Sequence, residues 1–291
     1  MTSWFGSPED ARERLARTGY LAGDAIATSV YLAGALERPL LAEGPAGVGK
    51  TQLAKAVAAA AGAELVRLQC YEGLDEARAL YEWNYKKQLL RIQAAGDQGW
   101  AETHDDIFSE EFLLERPLLR AIRQTTPTVL LIDETDKADV EVEGLLLEIL
   151  SDYQVTIPEL GTIAAARRPY VVLTSNATRE LSEALRRRCL YLHLDYPPPD
   201  RERDIVLAQV PGIGAALAER LARTAAALRA LELKKPPSIA ETVDWARTLL
   251  ALGRTELDEA TTAGTLGVVL KHASDQERAV KELGLPAGGA G

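Results

Sequence analysis

The chain has 291 residues and a mass of 31.5 kDa, with 47% hydrophobic and 26% charged residues. That composition excludes disordered, collagen-like and low-complexity classes, and at roughly 150 residues per domain it predicts about two domains. Its 33 Lys and Arg stand against 43 Asp and Glu, a formal charge of −10, which disfavours non-specific capture of nucleic acid or of an anionic membrane. Cys70 and Cys189, the only two cysteines, form no C-x-x-C pair, so neither a disulfide framework nor a cysteine zinc site is expected. The first residues, MTSWFGSPEDARERLARTGY, hold no apolar signal core, and no apolar run reaches the roughly 20 residues that span a bilayer. A cytoplasmic protein in a reducing compartment, without membrane insertion, is the expectation.

In chain order, the Ala, Leu, Ile and Val spacing over 7–36 predicts one or two amphipathic helices, with Ser7, Glu9 and Asp10 as a start signal. Arg38–Ala42 reads as a buried strand, Gln52–Ala61 as an alanine-rich helix and Glu64–Gln69 as a second strand. The stretch 71–126 reads as mostly helical, with a loose polar middle over Ala95–Asp106. Thr128–Ile132 is a third strand and Val140–Leu150 a helix. A hairpin near Gln154–Ile157 and Thr162–Ala165 follows, then strands at Tyr170–Thr174 and Leu190–Leu194. Alternating strands and helices predict an α/β domain with a mostly parallel sheet. After Pro197–Pro199 the pattern is helical only. The expected division is therefore a helical segment over 1–35, an α/β domain over 36–198, a helical lid over 199–285 and a fraying tail over 286–291.

The chemistry concentrates in two motifs. Gly44, Pro45, Ala46, Gly47, Val48, Gly49, Lys50 and Thr51 spell G-x-x-x-x-G-K-[ST] between a predicted strand and a predicted helix, with Gln52 continuing that helix. The glycines let backbone N–H groups turn toward phosphates, and the helix beginning near Lys50 adds its positive end. Lys50 would reach the β- and γ-phosphates of ATP, and the Thr51 hydroxyl would ligate Mg²⁺. The bland alternative is a glycine-rich turn. The second motif is Val129–Glu134, an apolar strand ending in two carboxylates at the edge of a parallel sheet where ligands bind. Asp133 would hold the Mg²⁺ shell and Glu134 would activate the attacking water. Its alternative is a buried strand capped by a solvated acidic turn.

Together, GPAGVGKT, LLIDETDKAD (130–139), VVLTSNATREL (171–181) and ALRRRCLY (184–191) resemble an AAA+ ATPase of the MoxR group over about 36–283. The resemblance implies a three-layer P-loop domain followed by a helical lid. It gives Asn176 the role of sensor 1, which positions the attacking water. It makes Arg188, with Arg187 as second candidate, the arginine finger inserted by a neighbouring subunit, and so implies a ring of six. A guanidinium suits a transition state that spreads charge over equatorial oxygens; read alone, Arg186–Arg188 would be a solvated basic patch. The chain departs from the group at Ser238-Ile239-Ala240, where an S-x-R setting would supply sensor 2; Arg247 would substitute only from a displaced helix.

The stretches 68–93 and 236–249 are similar to the subgroup linked to carbon monoxide dehydrogenase maturation. That similarity implies ATP-driven remodelling of a metalloenzyme during cofactor insertion, beside a von Willebrand factor A (VWA) domain partner. Tyr81, Trp83 and Tyr85, next to Lys86 and Lys87, offer a contact surface, although aromatics more often pack within their own domain. The rival is a DNA-acting motor or loader, since Val210–Ala218 resembles a helix-hairpin-helix turn. The charge balance favours a plain turn between lid helices. A nucleotide-gated scaffold without turnover is weakened by Glu134 and Asn176. His104, His193 and His272 lack ligand spacing, and the cysteines read as core residues.

Overall fold

The computed structural model describes residues 4–95 and 106–286 and divides into two compact units. His104, most of the polar stretch 95–106 and all but the first residue of the 286–291 tail lie outside the described residues.

The first unit comprises 1–18, 22–43 and 51–193. It opens with helices α1 (Pro8–Arg17) and α2 (Asp24–Ala35). Ser7 caps α1 by accepting from the Asp10 amide, and Pro8 occupies the first turn, where its missing N–H costs nothing. At its heart is a five-stranded sheet of β1 (Leu40–Glu43), β2 (Glu64–Gln69), β5 (Thr128–Asp133), β8 (Tyr170–Ser175) and β9 (Leu190–His193). The strand order is β2-β5-β8-β1-β9 and every pair is parallel. The chain is therefore an α/β protein.

β5 and β8 are buried at every residue, because alternate positions face two apolar layers. Leu130, Ile132, Val171 and Leu173 join one core with Leu118, Leu119, Leu146 and Ile149. Val129, Leu131 and Val172, on the other face, are equally enclosed. Helices α3 (Lys50–Ala61), α6 (Pro117–Arg123) and α7 (Val140–Asp152) are amphipathic, burying Leu53 and Val57, Leu118 and Ile122, and Leu146 and Ile149, while Lys55, Arg120 and Glu148 stay exposed. Each fully buried Leu or Ile contributes about 1.5–3 kcal/mol.

The stretch 71–126 differs from the helical expectation. Between α4 (Glu76–Ala79) and α5 (Tyr85–Ala95) lies a short strand, β3 (Tyr81–Trp83), antiparallel to β4 (Leu113–Glu115). Trp83 is buried in the unit's own core, with its ring edge-on to Phe108 at 5.3 Å. Lys87 pairs with Glu111 and lies over the Phe112 ring. Trp83 is thus a packing residue rather than a contact surface, and of the expected aromatic cluster Tyr85 is the exposed member. The hairpin β6 (Gln154–Ile157) and β7 (Gly161–Ala164) and helix α8 (Glu183–Arg188) complete the unit.

The second unit comprises 19–21, 44–50 and 194–291. Its helices are α9 (Pro199–Gln209), α10 (Ala215–Arg229), α11 (Ile239–Ala251), α12 (Glu259–Val269) and α13 (Ala273–Glu282). Trp245 is fully enclosed among them and its indole N–H donates to Thr265 Oγ1 at 2.7 Å. Glu202, fully buried, accepts two bonds from the Arg229 guanidinium. Residues 210–214, part of the helix-hairpin-helix resemblance, form the turn between α9 and α10. Among the described residues no helix is long and apolar enough to cross a membrane.

Candidate functional site

In the first unit the site grows from the carboxyl ends of β2, β5 and β8. Pairing sets Gln69 directly opposite Asp133 and Arg67 opposite Leu131, so Arg67, Gln69 and Asp133 share one face. Asp133 is buried, yet all its acceptor positions are used. Its Oδ1 accepts from Thr51 Oγ1 at 2.9 Å and from Thr174 Oγ1 at 2.6 Å. Its Oδ2 accepts from both Nε (3.1 Å) and NH2 (2.6 Å) of Arg67.

Glu134 follows in a left-handed conformation (φ 56, ψ 48). For a residue with a Cβ this is uncommon and is held by surrounding bonds. The Glu134 amide donates to Thr174 Oγ1 at 2.9 Å, so one hydroxyl fixes both consecutive acids. Glu134 Oε2 accepts from Gln69 Nε2 at 3.1 Å and from Lys137 Nζ at 2.6 Å. That carboxylate raises the Lys137 ammonium above its ordinary value.

Asn176 leaves the end of β8, beside β5, and is followed by Ala177, another left-handed residue (φ 57). The segment after it is fastened to the segment after Glu134. Asp136 accepts from the amide and hydroxyl of Thr178, while Glu143 accepts from the Ser182 amide and from Arg179. Burial would raise both acids; the Thr178 bonds on Asp136, and Ser182 and Arg179 on Glu143, outweigh it and leave both pKa values lowered.

Arg187 and Arg188 stand at the end of α8 and bond elsewhere. Arg187 is largely exposed, with Glu183 at 3.6 Å. Arg188 donates to Ser151 Oγ at 2.8 Å and to the Ala184 carbonyl at 3.1 Å. Arg186 pairs with Glu43 inside the unit.

The second unit holds 44–50. Lys50 is buried, and its ammonium donates to the Gly44 and Pro45 carbonyls at 2.7 Å each. Val48 is buried while Ala46 and Gly47 are exposed; Gln52, two residues past Lys50 and in the first unit, is exposed as well. Gly47 has φ 75, and a Cβ there would come within 2.3 Å of Ser238 Cβ. Gly44 allows no side chain either, since its Cβ would lie 1.8 Å from the Leu194 carbonyl oxygen. Ser238 caps α11 in a capping box with Glu241, and Arg229 Nε holds the adjacent Pro237 carbonyl at 2.7 Å. Ala240 is exposed on α11, and Arg247 is spent on Asp244 at 3.0 Å.

The Thr51 hydroxyl and Asp133 carboxylate, 2.9 Å apart, are hard oxygen donors, which is the chemistry Mg²⁺ takes. Cys70 and Cys189 are both pushed up to about 12 by burial, which leaves them as protonated core thiols. Neither His193 nor His272 joins a metal-binding group among the described residues.

Arg67, Gln69, Thr174 and Lys137 join the site although the two motifs assign them no role. Arg67 and Gln69 carried a usable signal, being polar at alternate positions of a strand; Thr174 and Lys137 carried none without the strand pairing.

A parallel sheet with a hydroxyl–carboxylate pair, a second strained acid and a G-x-x-x-x-G-K-T segment defines the P-loop class of α/β proteins. More narrowly, the family model described as "AAA domain (dynein-related subfamily)" matches residues 39–189, over half of the chain, and the chain belongs to that family of ATPases. It is 26% identical to Protein NorQ of Paracoccus denitrificans over 217 residues, 72% of this chain and 71% of that one. It is 35% identical to Chaperone protein ClpB 2 of Parasynechococcus marenigrum over 136 residues, 46% of this chain and 13% of the relative. An uncharacterized protein of Staphylococcus haemolyticus matches at 27% over 60% of this chain and 62% of its own length, so the chain spans about six tenths of that relative. Among solved structures, a point mutant of Thermotoga maritima RuvB overlays 96% of this chain and 73% of its own, at 17% identity and a TM-score of 0.48.

Proposed function

We propose that the chain binds and hydrolyses Mg–ATP as a MoxR-type AAA+ ATPase and spends the cycle on remodelling a client protein. The observation that carries this reading is the Thr51–Asp133 pair, bonded at 2.9 Å with its acid buried, and Glu134 held in a strained conformation on the next residue. Thr51 and Asp133 would hold Mg²⁺, which when bound neutralises phosphate charge. Lys50 exchanges the Gly44 and Pro45 carbonyls for phosphate oxygens. Glu134 accepts the proton of the attacking water, and Asn176, on the neighbouring strand end, orients that water. Arg188, or the likewise exposed Arg187, completes the charge clamp in an adjacent subunit's site, which requires a ring; six subunits is the proposed number. The likenesses to Protein NorQ and to a relative named a chaperone support client remodelling. The finer proposal, resting on the MoxR resemblance, is metalloenzyme maturation or cofactor insertion with a VWA-domain partner in the cytoplasm.

The test is the Glu134→Gln variant in its native cell. It is expected to retain ATP, lose turnover by about 10²–10⁴-fold, and co-purify with a VWA-domain protein or a metalloenzyme subunit irrespective of nuclease treatment. Turnover unchanged by the substitution overturns the assignment of Glu134. Partners that vanish with nuclease overturn the remodelling reading in favour of a DNA-acting motor.

A further inference from the structure

We propose that Arg67 is a positioning residue for the cation side of the site: it serves Asp133 as a counter-ion and thereby sets the Mg²⁺ concentration at which nucleotide is bound. The inference rests on the Mg–ATP reading above but concerns a residue outside both motifs.

Its ground is the bonding of Asp133. Two threonine hydroxyls saturate Oδ1, and the Arg67 fork saturates Oδ2. Hydroxyl dipoles alone leave a buried carboxylate under-compensated, and a guanidinium supplies a full charge in a planar, two-pronged form. Register explains how it arrives. Arg67 sits on edge strand β2 one diagonal step from Asp133, a distance that a long side chain spans.

Two features separate Arg67 from a purely structural ion pair. The carboxylate is 2% exposed but the arginine side chain is 47% exposed, on the open side of an edge strand, so the arm can shift without unpacking the core. Its NH2 also donates to Gln69 Oε1, which obliges the Gln69 amide nitrogen to face Glu134. One arginine therefore orients Asp133 directly and Glu134 through Gln69.

A cation bound through Asp133 shares that carboxylate with the guanidinium. Like charges on one anion disfavour each other, so Arg67 lowers the Mg²⁺ affinity of the site below what Asp133 and Thr51 alone would give. The half-exposed position keeps the effect moderate.

The experiment titrates Mg²⁺ into full-length protein with a fluorescent N-methylanthraniloyl ATP, reading nucleotide binding rather than turnover. Arg67→Gln is expected to lower the Mg²⁺ half-saturation by about twofold to fivefold, with nucleotide binding in EDTA unchanged. Arg67→Lys, which keeps the charge, stays near wild type. Arg67→Met, uncharged and of similar length, repeats the test if the glutamine variant melts early. An unchanged or raised half-saturation in the uncharged variants overturns the proposal. Wild-type protein that binds no ATP at any Mg²⁺ concentration overturns the ATPase reading itself, a result distinct from the first.

Discussion

Each unit buries a carboxylate against an arginine, and the two pairs are built differently. Glu202 and Arg229 are sealed: the acid is fully enclosed and the guanidinium one tenth exposed, lying over the Tyr196 ring at 4.5 Å and holding the Pro237 carbonyl. Asp133 and Arg67 are half open, with a buried acid and an arginine that reaches solvent. A sealed pair has no room to exchange partners, so it can only fix structure. An open pair at a sheet's carboxyl edge keeps its acid oriented while leaving the cation free to be rearranged. Burial of the acid is therefore uninformative by itself, and so is the exposure of its partner, since Glu143 with its half-exposed Arg179 is a fastening; an exposed partner at the sheet's carboxyl edge separates the site from a brace.

The largest effect that would sharpen this contrast is on chemistry without stability. Asp133→Asn keeps the hydroxyl bonds to Thr51 and Thr174 but removes the charge. It should reduce ATP turnover by about 10²-fold or more, with a thermal midpoint within about 4 °C of wild type. Steady-state phosphate release and a melting curve decide it. A variant that unfolds with no separate loss of turnover would make Asp133 a brace like Glu202.

Next comes the sealed pair. Glu202→Ala leaves the Arg229 guanidinium buried without its carboxylate, which typically costs about 3–5 kcal/mol. Urea unfolding followed by Trp245, the one tryptophan beyond residue 193, is the readout. Replacing both partners, Glu202→Met with Arg229→Leu, should recover most of that loss, because a packed apolar pair avoids the desolvation of two charges. If the double variant is as unstable as the single one, the bond of Arg229 to the Pro237 carbonyl and its stacking on the Tyr196 ring hold the fold, and the comparison breaks on that side.

The sequence disclosed these regions unequally. Strands β5 and β8 are legible because a doubly covered parallel strand is a short apolar run, as Thr128–Asp133 and Tyr170–Ser175 show, and β1, β2 and β9 are legible as shorter, apolar-rich runs in the same alternation with helices. Strands β3 and β4 are not, since three residues in a mixed polar stretch carry no period. Trp83 shows the cost: the aromatic alternation leaves a contact surface and packing within the domain both open, and the short strand decides it by turning Trp83 inward onto Phe108. In the candidate site, the motif residues were legible by spacing. Arg67 and Gln69 show in the sequence only as polar residues at alternate strand positions and Thr174 not at all; their partners follow from pairing across strands, which no local pattern encodes. The Glu202–Arg229 brace joins residues on different helices and was equally invisible.

The smallest expected effect concerns a third kind of buried acid, one held chiefly by neutral donors. Asp136 is buried, which raises its pKa, but the Thr178 hydroxyl and amide outweigh that and hold it below its ordinary 3.8. A carboxyl whose folded value is depressed stabilises the fold above its unfolded value, and that contribution disappears as pH falls through the folded one. Acidification from about pH 5 to about pH 3 should therefore lower the melting point of the first unit as the Thr178 bonds to Asp136 lose their charge. Thr178→Val removes the hydroxyl, keeps the amide, and should make that acid dependence shallower by a measurable but small amount. Since these bonds fasten the segment after Asn176 to the one after Glu134, the same variant tests whether the site's two strand ends move as one. A Thr178→Val protein with an unaltered acid profile would mean that the amide alone holds Asp136, and that a neutral hydroxyl, unlike the guanidinium on Asp133, adds nothing to the charge balance at this edge of the sheet.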